Sequence, residues 1–236
     1  MNRKTAATIA LLSWALILLL GAASQARSQD GKTSYPTMAP VDQYLIADRD
    51  EEIALARSAA PEAISRDAEV LVLGRQGYQT AAKGTNGFIC VVNRSWMLPF
   101  DNPEFWNPAV RLPFCLNPPA VRSVLPLTIK EADWVMAGLT KSQLFDRTKA
   151  AFDKHDIPLP EPGSMCYMMS KQQNFGPKFG NADSHLMFWF AQKDHINWGA
   201  EFPGVPVDVH QYSPQPITEF AISVSKWSDG TPAPTN

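Results

Sequence analysis

Three of the chain's four histidines, His185, His195 and His210, lie close together near the C-terminus, interleaved with Asp183, Asp194 and Asp208. Imidazole and carboxylate donors suit zinc or a similar divalent ion, so Asp183, His185, His195 and His210 form the candidate metal set. The spacing argues against a ready-made site. His185 and His195 are ten residues apart across an expected strand, not at the i, i+4 offset that aligns two ligands on one helix face. A metal would need strand ends and loops to bring the four together. Scattered loop histidines with solvent or hydrogen-bonding roles are the plainer reading.

Other chemistries have weaker signatures. Cys166 with a histidine and Asn181 would make a thiol nucleophile, but it sits in an apolar run, Ser164-Met-Cys-Tyr-Met-Met-Ser170, where burial disfavours the thiolate. There is no Gly-x-Ser-x-Gly elbow and no Ser-x-x-Lys motif. Glu104, Glu161, Glu201 and Asp208 are loop acids near Phe105, Trp106, Trp198 and Phe202, the composition of a sugar site, although aromatics also pin long loops. Gly176-Pro-Lys-Phe-Gly180 lacks the Gly-Lys-Ser/Thr ending of a phosphate cradle, and Pro177 removes a backbone donor. No dinucleotide fingerprint is present, so no cofactor is named. Catalytic residues remain unassigned.

What must position these residues is a chain of 236 residues, 45% apolar and 19% charged, which has the composition of a folding domain. Its first segment reads as an export signal. Arg3 and Lys4 precede an apolar run from Ile9 to Ala23, and Ser24-Gln25-Ala26 supplies small residues for cleavage after Ala26. The run is shorter than the roughly 20 residues a membrane span needs. Residues 1–26 are therefore expected to be a cleaved signal peptide, with a periplasmic or secreted mature chain that has no membrane attachment. The net charge of −2 becomes more acidic once Arg3 and Lys4 are removed, which excludes an electrostatic footprint for nucleic acid. In an oxidising compartment the three cysteines predict one disulfide and one leftover thiol. Closeness in sequence, and the proline-rich loop around Cys115, favour Cys90 with Cys115.

Residues 27–40 read as a flexible N-terminal arm, 41–228 as a single domain and 229–236 as a disordered tail. A helix is expected from Asp48 to Pro61, capped by Asp48 with Glu51. Glu69–Leu73, Tyr78–Ala82 and Phe88–Val92 read as three strands of an antiparallel meander, with Asn86-Gly87 marking a tight turn. Prolines at 99, 103, 108, 113, 118, 119 and 126 exclude a long helix and any central strand from 94–127. That stretch also holds Trp96, Phe100, Phe105, Trp106 and Phe114, so it is expected to be an ordered, irregular cover or the wall of a pocket. Thr128-x-x-Glu131 and Thr140-x-x-Gln143 each look like the capping box of a helix. Strands are expected at 165–169, 186–191 and 217–227, the last with Phe220, Ile222 and Val224 inward and Glu219, Ser223 and Ser225 outward. The order predicts an α+β fold: a single antiparallel sheet of five to six strands, about three helices and the long proline/aromatic-rich irregular cover.

Gly84-Thr-Asn-Gly-Phe-Ile-Cys90, Met165-Cys-Tyr-Met-Met-Ser-Lys171 and Lys226-Trp-Ser-Asp-Gly230 resemble segments of an uncharacterised family of exported bacterial proteins. The resemblance implies export and carries no activity or site residue. Aromatic-rich loops without a complete catalytic signature point first to a non-catalytic module that binds a small molecule or a protein partner. The alternative is an extracytoplasmic hydrolase, metal-assisted or not, with its site in loops 171–184 and 192–216.

Overall fold

The computed structural model describes residues 35–177, 180, 183–192, 198–200 and 202–234. The expected signal peptide, most of the N-terminal arm, and Asn181, Asp194, His195 and Glu201 lie outside these residues. No helix among the described residues is long and apolar enough to cross a membrane.

The fold is α+β, but it is larger than the sequence suggested. One eight-stranded mixed sheet runs in the order β2-β1-β3-β4-β5-β6-β8-β7. The strands are β1 (Glu69–Gly74), β2 (Gly77–Ala82), β3 (Ile89–Asn93), β4 (Leu112–Leu116), β5 (Met165–Met168), β6 (His185–Ala191), β7 (Val207–Gln211) and β8 (Ile217–Ser223). The helices among the described residues are α1 (Arg49–Arg57), α2 (Glu62–Ser65), α3 (Pro118–Ser123), α4 (Leu125–Met136) and α5 (Lys141–Asp153). This corrects the expectation of five to six antiparallel strands with about three helices.

The first departure is local. β1 and β2 form the expected hairpin, but β3 passes to the other side of β1 and runs parallel to it, with Leu71 opposite Val91. The connecting turn crosses the start of β1, where Thr85 N–H donates to the Asp67 carbonyl at 2.8 Å and Glu69 N–H to that of Phe88 at 2.9 Å. Gly84 makes the crossing possible: a Cβ there would lie 2.1 Å from the Glu69 nitrogen.

β4 is the second departure, a central strand in a segment whose prolines argued against one. Its register with β3 explains how Pro113 is tolerated. Cys90 and Cys115 face each other with Cα atoms 4.0 Å apart, the short spacing of a non-hydrogen-bonded antiparallel pair. Two residues along, Val92 and Pro113 form a pair of the same kind, so the nitrogen of Pro113 points away from β3. On its other side β4 pairs with β5 only at Cys115 and Leu116. The missing N–H therefore costs no ladder bond. Cys90 and Cys115 are joined in the expected disulfide, and Cys166 is a free, buried cysteine of β5.

The two sheet faces bury different partners. On one, Leu71, Val91, Phe114, Leu116, Cys166 and Met168 pack against Ala120, Leu125, Leu127, Ala151 and Phe152 of the α3–α5 helices. On the other, Val70, Cys90, Val92 and Cys115 pack against Ala56, Ala59 and Ala60 in and after α1. Asp48 caps α1 by accepting from Asp50 and Glu51 N–H, and the Thr140/Gln143 box caps α5 as expected. The Thr128/Glu131 box does not form, because α4 begins earlier, at Leu125, with Pro126 in its first turn. Both residues are instead buried inside the helix packing.

An ion pair locks the α1 side of the sheet. Arg94 is fully buried; its Nη2 donates to Glu52 Oε1 at 2.9 Å, its Nε to the Tyr44 carbonyl at 2.6 Å, and its Nη1 to the Val92 carbonyl. Leu73 N–H also donates to Glu52 Oε1, so one carboxylate ties α1 to β1 and β3. Beneath the cover, Tyr44 joins Trp96, Phe105 and Trp106 in a buried aromatic cluster against Leu73 and Val135. At the other end, the expected disordered tail is described to residue 234: Ala233 is buried, and its N–H donates to the Ser225 carbonyl at 2.9 Å.

Candidate functional site

The helices pack chiefly on β1–β5. Where β6, β8 and β7 continue the sheet, the helix-covered face opens into a cleft of about 500 Å³. Strand periodicity places the floor residues. Side chains two apart share a face, so His185 and Met187 of β6, Glu219, Ala221 and Ser223 of β8, and Asp208 and His210 of β7 all look into it. The register sets them in rows: His185 opposite Ser223, Met187 opposite Ala221 and then Asp208, and Glu219 opposite His210. Leu98, Pro99 and Asn102 of the proline-rich cover form one wall, and Phe175, Asp183 and Tyr212 complete the lining.

β7 reaches its place through polar ties as well as its ladder: Gln211 Nε2 donates to Thr218 Oγ1 at 2.9 Å and accepts from Gln192 Nε2 at 2.8 Å through Oε1. The cover is held against the loop after β5 by a two-way backbone bridge between Arg111 and Asn174, with bonds of 2.9 and 2.8 Å. Gly176 fits against Glu104, where a Cβ would meet Glu104 Oε2 at 2.8 Å.

His185 is over nine-tenths buried. Its Nδ1 lies 2.7 Å from the Asp183 carbonyl oxygen, which can only accept, so Nδ1 carries the proton and Nε2 keeps its lone pair. Among the described residues none donates to that Nε2. Burial pulls His185 below the ordinary histidine range against the opposing influence of Asp183, so its ring is neutral at pH 7. Burial does the same to His210, whose ring stacks on Tyr212 with centroids 5.5 Å apart. The half-buried Glu219 accepts from Trp189 Nε1 at 2.8 Å, yet burial still pushes its carboxyl up to about 7. Burial likewise raises the Tyr212 phenol. Among the described residues no lysine or arginine lines the cleft.

Of the candidate metal set, Asp183, His185 and His210 come to this one cleft, while His195 lies outside the described residues. Among the described residues no three His, Cys, Asp or Glu side chains converge as a metal would require. The remaining candidates disperse. Cys166 is buried, and that burial drives its thiol well above the ordinary range, the opposite of an activated nucleophile. Glu161 is engaged by Arg122 on the surface, and Glu104 is buried, accepting from Asn107 Nδ2 at 2.7 Å. Phe105 and Trp106 are core residues, whereas Trp198 stacks on Phe220 on the opposite sheet face. Tyr212, Glu219, Asn102 and Met187 belong to the site without having been singled out in the sequence. Glu219 read as an outward residue because Phe220 faces the core, but β8 is covered on both faces, with Ile217 and Thr218 both buried.

Compared with protein-family models, with curated proteins and with solved structures, the chain finds no match in any of the three.

Proposed function

We propose that this is an exported protein whose function is to bind a small organic molecule in the cleft over β6, β8 and β7. The observation that carries the reading is the cleft's makeup. Its volume falls in the range of about 300–1,000 Å³ common to ligand sites. An apolar floor and wall (Met187, Ala221, Leu98, Phe175) are combined with a few convergent polar groups (His185, His210, Glu219, Asp208). Rigid strands carry most of these groups, as selective binding requires. Export rests on the basic, apolar and small-residue order of residues 1–26, and the Cys90–Cys115 disulfide suits an oxidising compartment.

A hydrolytic reading draws on the same residues, since the neutral His185 imidazole and the Glu219 carboxyl of near-neutral pKa, at opposite ends of one floor, are groups able to act as general base and acid. Binding is preferred because Cys166 is not activated and no metal-ligand trio converges among the described residues. The test is native mass spectrometry of the mature chain after incubation with a bacterial small-molecule extract. A one-to-one non-covalent adduct is expected, absent from Ala221→Trp, whose indole would fill the middle row of the cleft. Failure to capture any adduct, or equal capture by the Trp variant, overturns the reading.

A further inference from the structure

Among the described residues the cleft offers a ligand acceptors and negative charge but no lysine or arginine. Asp208 is an exposed carboxylate on the edge of the floor, with no ion-pair or hydrogen-bond partner among the described residues. His185 is buried to more than nine-tenths and lines the cavity, and no described residue donates to its Nε2. The Nε2 atom is not among the enclosed polar atoms that lack a partner, so water reaches it, and a donor brought by a ligand can take that water's place. A second depression of about 760 Å³, bounded by Gly204, Val205, Pro206 and Pro234, shares Asp183, Asp208 and Ser223 with it. Neither cavity is lined by a lysine or arginine among the described residues. A carboxylate shared by two cavities, with no lysine or arginine beside it among the described residues, draws positive charge to that point.

We infer that the molecule bound here is an organic ammonium ion, its charge balanced by Asp208 and one of its N–H or O–H groups donated to Nε2 of His185. This rests on the reading of the cleft as a ligand site and names the ligand's chemical class. The apolar part of the ligand lies on Met187, Ala221 and Phe175, and a longer chain extends past Asp208 into the second depression. A divalent cation is the competing occupant, and the absence of a converging ligand trio among the described residues favours the amine.

Isothermal titration of the mature chain with three probes of matched size separates these cases: tyramine (an ammonium), 4-ethylphenol (neutral) and 4-hydroxyphenylacetate (an anion). Saturable tyramine binding is expected, at least tenfold tighter than either of the others, and weakened at least tenfold in Asp208→Asn and in His185→Gln. Asp208 is exposed, so its variant tests the charge without risk to the core. Equal or tighter binding of the phenol or the anion, blocked by Ala221→Trp, would overturn the ammonium assignment and leave the cleft as a ligand site. Tyramine binding unmoved by both substitutions also overturns it. So does saturable Zn²⁺ binding that is lost in His185→Gln and excludes tyramine. No heat with any probe, alongside a captured adduct in the mass-spectrometric test, refutes the amine class alone.

Discussion

Glu131 lies between α4 and α5 with one carboxyl oxygen 3.4 Å from Thr148 Oγ1 and the other buried without a partner. Glu52 is buried as deeply but has a guanidinium to answer its charge. That difference has a consequence for stability. Burial pushes the Glu131 carboxyl up to about 8, so the folded chain keeps the proton over a range where the unfolded chain has lost it. The folded state then binds more protons than the unfolded one, and stability falls as pH rises. The contribution is fully present below about 4.5, declines through the interval up to about 8, and is lost above it. Glu131→Gln removes this slope. Its urea midpoint should match that of the wild type near pH 4.5 and exceed it progressively up to pH 8, by a difference of a few kcal/mol at most, since each pKa unit is worth about 1.4 kcal/mol. Glu219, raised to about 7 by burial, tilts the wild-type curve in the same direction, and the slope it causes should survive in the variant. A gain that does not change with pH would mean that the Glu131 carboxyl is charged in the fold.

At the scale of elements, the turn that sends β3 to the far side of β1 depends on one missing side chain. A Cβ on Gly84 would sit 2.1 Å from the Glu69 nitrogen and 2.6 Å from the Ala68 carbonyl carbon, both backbone atoms that cannot swing aside. Gly84→Ala should therefore lower stability by roughly 1–3 kcal/mol or more, the cost of forced overpacking. Gly74→Ala, whose new methyl meets only the Gln79 side chain at 3.4 Å, should change the denaturation midpoint little. The same turn illustrates what a sequence makes legible. Local chemistry was readable: Asp48 and Thr140 cap their helices, and six of the strands lie where apolar runs and turn residues put them. Pairing was not, because whether β3 continues the meander or crosses β1 depends on which neighbour buries its two apolar faces. β4 was hidden by Pro113, whose harmlessness follows from the register of Val92 with it rather than from composition. Thr128 and Glu131 misled for a related reason: the motif of a cap is also a pattern that helix interiors can bury. In the cleft, the histidines and aspartates could be picked out by type, and three of the four metal candidates line it without converging. Glu219 and Tyr212 could not, since the registers among β6, β8 and β7 decide which face they share.

For the molecule as a whole, the disulfide links its compartment to its stability. Cys90 and Cys115 join neighbouring central strands and enclose 25 residues of sequence separation, which include the cover that walls the cleft. Closing a loop of that length restricts the unfolded chain by about 3–4 kcal/mol in the chain-entropy description. Both cysteines are fully buried, so in the native state reductant has little access to the bond. Denatured, unreduced protein recovered from an oxidising compartment should show one reactive thiol, that of Cys166, rising to three after reduction. The folded protein should show almost none, because Cys166 is buried and burial holds its thiol protonated. The Cys90→Ala/Cys115→Ala double variant should lose about 3 kcal/mol in urea unfolding, a cost unaffected by added reductant, whereas the wild type should lose a similar amount only once reduced. Three thiols in the unreduced, denatured protein would mean that the chain matures without the bond. The cover, and with it the cleft wall of Leu98, Pro99 and Asn102, would then be held by packing and the Arg111–Asn174 bridge alone.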